Sequence, residues 1–276
     1  MSAFLEEMAA GSRARVRAAH GARSAQSLEA AARAAPVPPP LRLHPERFDL
    51  IAELKLRSPA AGVLAGAGED IAERVSGYAR AGAAAVSVLT EPSRFDGSLE
   101  HLTAAADVLR PLGVPALRKD FLVDPYQLYE ARLAGAGGVL LILRMLPKSE
   151  LLALLECARS LGLFVLLEAF DADDIALMHE LLESHRGPNV LLAGINCRDL
   201  TTLEVVPARL IELSPLLPAR VPRVAESGVT SAADARAVAA AGYSLALVGS
   251  ALMRGGDGAA LAAALIAAGR AARRAG

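Results

Sequence analysis

The sequence predicts an α/β protein: a (β/α)8 TIM barrel with an extra N-terminal helical segment. Three observations predict it. From Phe48 onward, apolar β-branched runs alternate with Ala/Leu/Glu/Arg-rich helical patterns. The pairs recur at roughly 22 to 35 residues, the length of one βα unit. Eight such units fit within the remaining chain, and polar residues stand at the ends of otherwise apolar strands, where barrels of this kind keep their chemistry. An open doubly wound sheet is the alternative. It more often has fewer strands and a GxGxxG after the first, whereas the first strand here runs into "KLRSPAAG".

The elements follow in order. Residues 1–47 read as a helical extension packed on the barrel, with "SAFLEEMAAGSRARVRAAH" and "SAQSLEAAARAA" helical and "PVPPP" stopping them. Residues 48–276 read as the catalytic barrel. Its strands are "DLIAELK", "AAVSVLT", "PALRK", "GVLLIL", "FVLLEA", "VLLAGIN", "RVAES" and "LALVGS". Helical patterns follow near Ile71, Leu99, Pro125, Lys148, Asp171, Pro207, Ser231 and Gly258.

Composition excludes several classes of function. The 276 residues are 53% hydrophobic and 21% charged, with net charge −1, so no global field invites nucleic acid. Six Phe, four Tyr and no Trp give no aromatic platform for bases either. Cys157 and Cys197 are too far apart in sequence for a metal pattern or disulfide framework, which fits a reducing cytoplasm. Glu6, Glu7 and Glu29 argue against a transit peptide, and "AGAGGVLLIL" is too short to span a bilayer. No membrane partner is expected.

Side chains alternate faces along a strand. Glu53 with Lys55, Leu117 with Lys119, and Leu166 with Glu168 therefore share faces. If these faces point inward, two lysines and two glutamates converge above a core that would otherwise be Val, Ile and Leu. Buried charges are costly unless paired or used. The bland explanation is a set of ion pairs plugging the barrel mouth; the functional one is a catalytic site. Arg118 and Asp120 have the opposite parity and read as a solvated or ion-paired strand end. Ser227-Gly228 and Gly249-Ser250 end the seventh and eighth strands, where many barrels hold a phosphate. Ordinary turn chemistry is the competing explanation.

The blocks "IAELKLRSPAAG", "AVSVLTEPSRFDGSLEHL", "PALRKDFLVDPYQLYEARLAGAGGVLLI", "GINCRDLTTLEV", "VAESGV" and "LVGSALMR" resemble those of the indole-3-glycerol-phosphate synthase family. The resemblance runs from about Phe48 to Arg254. It implies closure and decarboxylation of 1-(2-carboxyphenylamino)-1-deoxyribulose 5-phosphate in tryptophan biosynthesis, with no cofactor and no metal. It maps Lys119 to the general acid at the ketone and Glu168 to a base or proton shuttle at dehydration. Lys55 faces the substrate carboxylate, Glu53 orients Lys55, and Asn196 and Arg198 position the hydroxyl and carboxylate region. Glu226 supports this network. Ser58, Ser227, Gly228, Gly249 and Ser250 form the phosphate end. Phe121 is either a wall against the aromatic ring or core packing. Cys197 and Leu56 depart from the family pattern, and the parity of Cys197 turns it away from the site. The partners implied are a phosphorylated small molecule and other tryptophan-pathway enzymes. The competing functions are a phosphosugar isomerase resembling phosphoribosylanthranilate isomerase, which usually needs a Cys or Asp base at a strand tip, and a non-catalytic scaffold. The scaffold would have lost a charged tip residue, and none is missing.

Overall fold

The computed structural model describes residues 2–275 except 45, 46, 66–68, 186, 188, 189 and 255. Residues 1, 45 and 46 of the expected extension, and 276 at the end of the expected barrel, lie outside the described residues. Eight parallel strands close into a barrel. They are β1 (Asp49–Leu54), β2 (Ala85–Leu89), β3 (Ala116–Lys119), β4 (Gly138–Ile142), β5 (Phe164–Ala169), β6 (Leu191–Asn196), β7 (Arg223–Glu226) and β8 (Leu245–Val248). Each pairs with its neighbours in chain order, and β1 closes the ring against β8 through Asp49–Leu245 to Ala52–Val248. The open-sheet alternative is thereby excluded.

Local chemistry explains why these residues form these elements. β1, β4, β5 and β6 are buried along their whole length, because strands of a barrel are covered on both faces and so read as continuous apolar runs. The helices between them carry side-chain N-caps: Asp70 for α3 (Ile71–Arg80), Ser98 for α4 (Leu99–Leu109), Asp124 for α5 (Pro125–Leu133) and Asp171 for α7 (Ala172–Ser184). In α5, Pro125 takes the first turn, where its missing N–H is harmless. α6 (Lys148–Ser160) and α8 (Ala208–Leu213) start without such a cap. Ser231 and Asp234 form a capping box on α9 (Ala232–Ala240), and α10 (Gly258–Ala275) closes the ring of helices.

The N-terminal segment folds as α1 (Ala3–Ala22) and α2 (Ala25–Ala34), capped by Ser2 and Ser24. It does more than pack on the outside. Leu5, Met8 and Ala9 of α1 are buried in the same core as the barrel, and Phe4 and Leu5 reach the mouth at the C-terminal ends of the strands. The sequence signal for a helix here is clear, but nothing in its periodicity says which end of the barrel it covers. An antiparallel pair, Arg57–Ser58 with Gly62–Val63, was also not anticipated; it folds the loop after β1 back on itself.

Of the two readings left open for Arg118 and Asp120, a solvated or an ion-paired strand end, the structure shows the ion pair. Arg118 and Asp120 do face away from the barrel axis, but they are not solvated: each is only 3% exposed. They lie between β3 and the helical layer. Arg118 donates to Thr90 Oγ1, the Gln127 carbonyl, Glu130 Oε2 and Asp120 Oδ2. Outward from a barrel strand means toward the helices, not toward water, and a charge placed there needs internal partners. Removing one partner of a buried ion pair typically destabilises by about 3–5 kcal/mol. Arg118→Met should therefore lower unfolding free energy by about 3 kcal/mol in urea titration; a change under about 1 kcal/mol would mark Arg118 as the surface feature its charge suggests.

Candidate active site

A cavity of about 520 Å³ opens at the C-terminal ends of the strands. Glu53, Lys55, Ser58, Lys119, Phe121, Glu168, Asn196, Arg198, Glu226, Ser227, Gly228, Gly249 and Ser250 all line it. Period-two alternation puts them there. β3 ends on Lys119, β6 on Asn196 and β7 on Glu226, with Asn196 and Glu226 directly paired across the two strands.

The charged centre is a lysine among carboxylates. Lys55 Nζ donates to Glu53 Oε1 at 2.7 Å, and Lys119 Nζ lies 3.6 Å from Glu53 Oε2, an ion-pair distance too long for a hydrogen bond. Burial by itself would depress the Lys119 ammonium's pKa. The carboxylates of Glu53, Glu168 and Glu226 outweigh that and raise it above the ordinary lysine value. Burial pushes Glu53 the other way, toward the neutral form, but Lys55 and Lys119 override it and hold Glu53 ionised.

Glu168 and Glu226 behave differently. Burial is the main cause raising Glu168, opposed by Lys119 and by the Asn196 Nδ2 donor at 2.6 Å. Glu226 is raised much further, first by burial and then by the Glu168 carboxylate. It is 1% exposed, and neither of its oxygens has a hydrogen-bond partner of ordinary geometry among the described residues. Carboxylates gathered out of water oppose one another's ionisation, and the one with fewest donors is shifted furthest toward its neutral form.

Two glycines make room for this arrangement. A Cβ at Gly249 would stand 2.2 Å from Glu53 Oε1, and one at Gly194 would stand 2.2 Å from Glu226 Oε1. Gly249 thus gives space to a carboxylate as well as ending β8. Asn196 ties the centre to the rim: its Oδ1 accepts from Ser227 Oγ at 2.9 Å and from the Arg198 backbone at 3.0 Å. Ser227 (φ 66°) and Gly228 (φ 73°) are both left-handed, and for serine that is strained backbone of the kind found at functional sites. Arg198 is held by a bond from Nη1 to the Leu203 carbonyl at 2.6 Å. Cys197 does not line the cavity; its sulfur lies behind Gly228.

Sequence reasoning missed part of the wall. Phe4 meets Phe121 edge to face at 5.8 Å between centroids, and Phe95 lies 6.2 Å from Phe121. Phe121 is 7% exposed, so it is at once core and wall. Phe95 sits on the short helix Pro92–Phe95, whose cap is Glu91 in "TEPSRF", and that Glu-Pro start was a readable signal. Phe170, Asp120 and Arg254 also border the cavity.

A closed (β/α)8 barrel with acid–base side chains gathered at its C-terminal mouth defines an enzyme of the barrel class. The model of the family described as indole-3-glycerol phosphate synthase matches residues 5–265, and the chain belongs to this family. It is 41% identical over 271 residues to the indole-3-glycerol phosphate synthase of Mycobacterium tuberculosis, covering 96% of this chain and 94% of that protein. It is 45% identical over 220 residues to that of Kineococcus radiotolerans, covering 80% and 76%. Among solved structures it is similar to 3-hexulose-6-phosphate synthase from Salmonella typhimurium, with TM-score 0.61 and 15% identity over 80% of this chain and 98% of the other. It is also similar to thiamine phosphate pyrophosphorylase from Pyrococcus furiosus, with TM-score 0.59 and 15% identity over 82% and 96%. At that identity the likeness concerns the fold alone.

The state of Glu226 generates a stability prediction. A carboxyl whose pKa is raised holds its proton more tightly folded than unfolded. Stability is then full below the ordinary value of 4.5 and is lost as pH rises through the folded-state pKa. Glu226→Gln removes the titration, so its Tm should exceed that of the wild type at neutral pH, and the gap should close below about pH 4.5. A Tm difference that stays constant with pH would contradict the assignment.

Proposed function

We propose that these residues carry out the family's reaction with the roles set out below. The enzyme acts on a phosphorylated small molecule and serves tryptophan biosynthesis as a lyase and decarboxylase. The substrate is 1-(2-carboxyphenylamino)-1-deoxyribulose 5-phosphate and the products are indole-3-glycerol phosphate, CO2 and water. Neither the isomerase nor the scaffold reading is favoured by the family.

The observation that carries the reading is the Lys119 ammonium held charged among Glu53, Glu168 and Glu226. Attack of the aromatic ring carbon on the C2′ ketone puts negative charge on the ketone oxygen. A fixed ammonium in a mostly dry cleft stabilises that charge and supplies the proton. Loss of CO2 returns the electron pair to the ring. The new hydroxyl then departs as water, and a ring proton leaves. Glu168, raised and tied to Asn196, is the group suited to move a proton at that stage. Lys55, anchored on Glu53, faces the substrate carboxylate together with Arg198. Ser58, Ser227, Gly228, Gly249 and Ser250 receive the phosphate at the opposite rim, so the two anions are held apart. Phe121, with Phe4 and Phe95, offers the aromatic ring an apolar wall.

Residues 1–47 serve as the extension and 48–276 as the catalytic barrel. The reaction requires no resident cofactor, nucleic acid or membrane, and among the described residues no helix is long and apolar enough to cross one. The two cysteines are free and buried, which suits a cytoplasmic setting beside the other tryptophan-pathway enzymes.

Incubation with the carboxyphenylamino-deoxyribulose phosphate should give the fluorescence of an indole product. Lys119→Met should lower kcat by about 10²-fold or more, and Lys119→Arg should fail as well, because a planar guanidinium fork cannot place its charge and donors where a compact ammonium does. No indole product from the wild type, or wild-type kcat in a folded Lys119→Met, would overturn the reading.

A further inference from the structure

Asp120 follows Lys119 and lies on the opposite face of the strand tip. Its carboxylate is met by four donors from four places. Arg15 Nη2 on α1 and the Phe121 backbone reach Oδ1, both at 2.8 Å. Thr90 Oγ1, just beyond β2, reaches Oδ2 at 2.8 Å, and Arg118 Nη2 does so at 3.2 Å. The Thr90 backbone also donates to the Lys119 carbonyl at 3.0 Å. The same helix grips the far side of the turn: Ser12 Oγ donates to the Phe121 carbonyl and accepts from Gln127 Nε2. Arg15 Nη1 further lies 3.5 Å from Glu91, the cap of the short helix that carries Phe95.

We propose that Asp120 is a positioning residue for Lys119, and that Arg15 holds Asp120, so that the N-terminal helix sets the aim of the ammonium. This rests on the reading of Lys119 as the acid. The need for such a device is physical. An ammonium on a four-carbon stem is flexible, and a misplacement of about 1 Å at a reacting centre costs about 10²-fold in rate. Within the barrel, Glu53 draws the Lys119 head inward at 3.6 Å. Outside it, Asp120 fixes the backbone from which the stem departs. Arg15 is the donor of the four that comes from the N-terminal helices rather than from the barrel, and its side chain is 32% exposed. Its loss therefore perturbs aim more than folding.

Another ion pair of α1 supplies an internal control. Arg94 with Glu7, at 2.6 Å, also ties α1 to the barrel but is about half exposed on both sides. The experiment compares Arg15→Met, Asp120→Asn, their combination and Glu7→Gln, with kcat, KM and Tm for each. The expected result is a fall in kcat of about tenfold or more for Arg15→Met and Asp120→Asn, with little change in KM. The double variant should be no slower than Asp120→Asn alone, because both act through one contact. Glu7→Gln should keep wild-type kcat. The ¹⁵N signal of the Lys119 ammonium should shift in Arg15→Met and Asp120→Asn and stay put in Glu7→Gln. That signal needs no turnover, so a wild type that gives no indole product would sink the functional reading while leaving this test intact. Losses that multiply in the double variant would overturn the proposal. So would wild-type kcat and an unmoved signal in folded Arg15→Met, which decides alone should Asp120→Asn not fold.

Discussion

The Lys119 ammonium among three buried carboxylates is the interaction on which the rest of the site depends. Each member explains a neighbour. Glu53 is held toward its ionised form because Lys55 and Lys119 face it, and Glu226 is pushed toward its neutral form by burial at the dry strand tip and then by the Glu168 carboxylate. Gly194 and Gly249 are glycines because the carboxylates of Glu226 and Glu53 occupy the space of a side chain. Asn196 then carries the order outward to Ser227 and the strained turn at the rim. An isolated charge buried at this depth would be costly; here each is offset by the others.

A barrel supplies this arrangement with little strain. Its strands alternate in and out, so one inward residue at each tip is enough to build a ring of functional groups on a rigid frame. The same geometry produces a second polar layer behind the first. Arg118 and Asp120 point out from β3 and meet Thr90, Glu130 and Arg15 between strands and helices. The chain thus places an outward ionic network directly behind the inward one, with Lys119 between them.

Much of this was legible in the sequence, and for physical reasons. The strands β1, β4, β5 and β6 are mainly apolar and buried throughout, and α3, α4, α5 and α7 open on Asp or Ser caps, so both kinds of element announced themselves. Period-two parity alone puts Lys119 and Glu168 on shared inward faces. What was not legible depends on contacts distant in sequence. Arg118 and Asp120 read as either solvated or ion-paired, because parity gives a direction but not what lies in that direction. Phe4 gave no sign of reaching the mouth, because an amphipathic helix states that one face is buried and not against what. The hairpin Arg57–Ser58 with Gly62–Val63 is too short to carry a period. The raised pKa of Glu226 goes with its burial and with donors that are absent from its described surroundings, which no local pattern records.

The most direct test of the central claim is a titration of Lys119 itself, followed at its ε-carbon by ¹³C NMR in the wild type and in Glu53→Gln. A lysine held by three carboxylates should titrate well above the ordinary value of about 10.4, and removal of the Glu53 charge should bring the midpoint down toward it. A Lys119 midpoint at or below about 10.4 in the wild type, or one that Glu53→Gln leaves unmoved, would show that the carboxylates do not govern this ammonium.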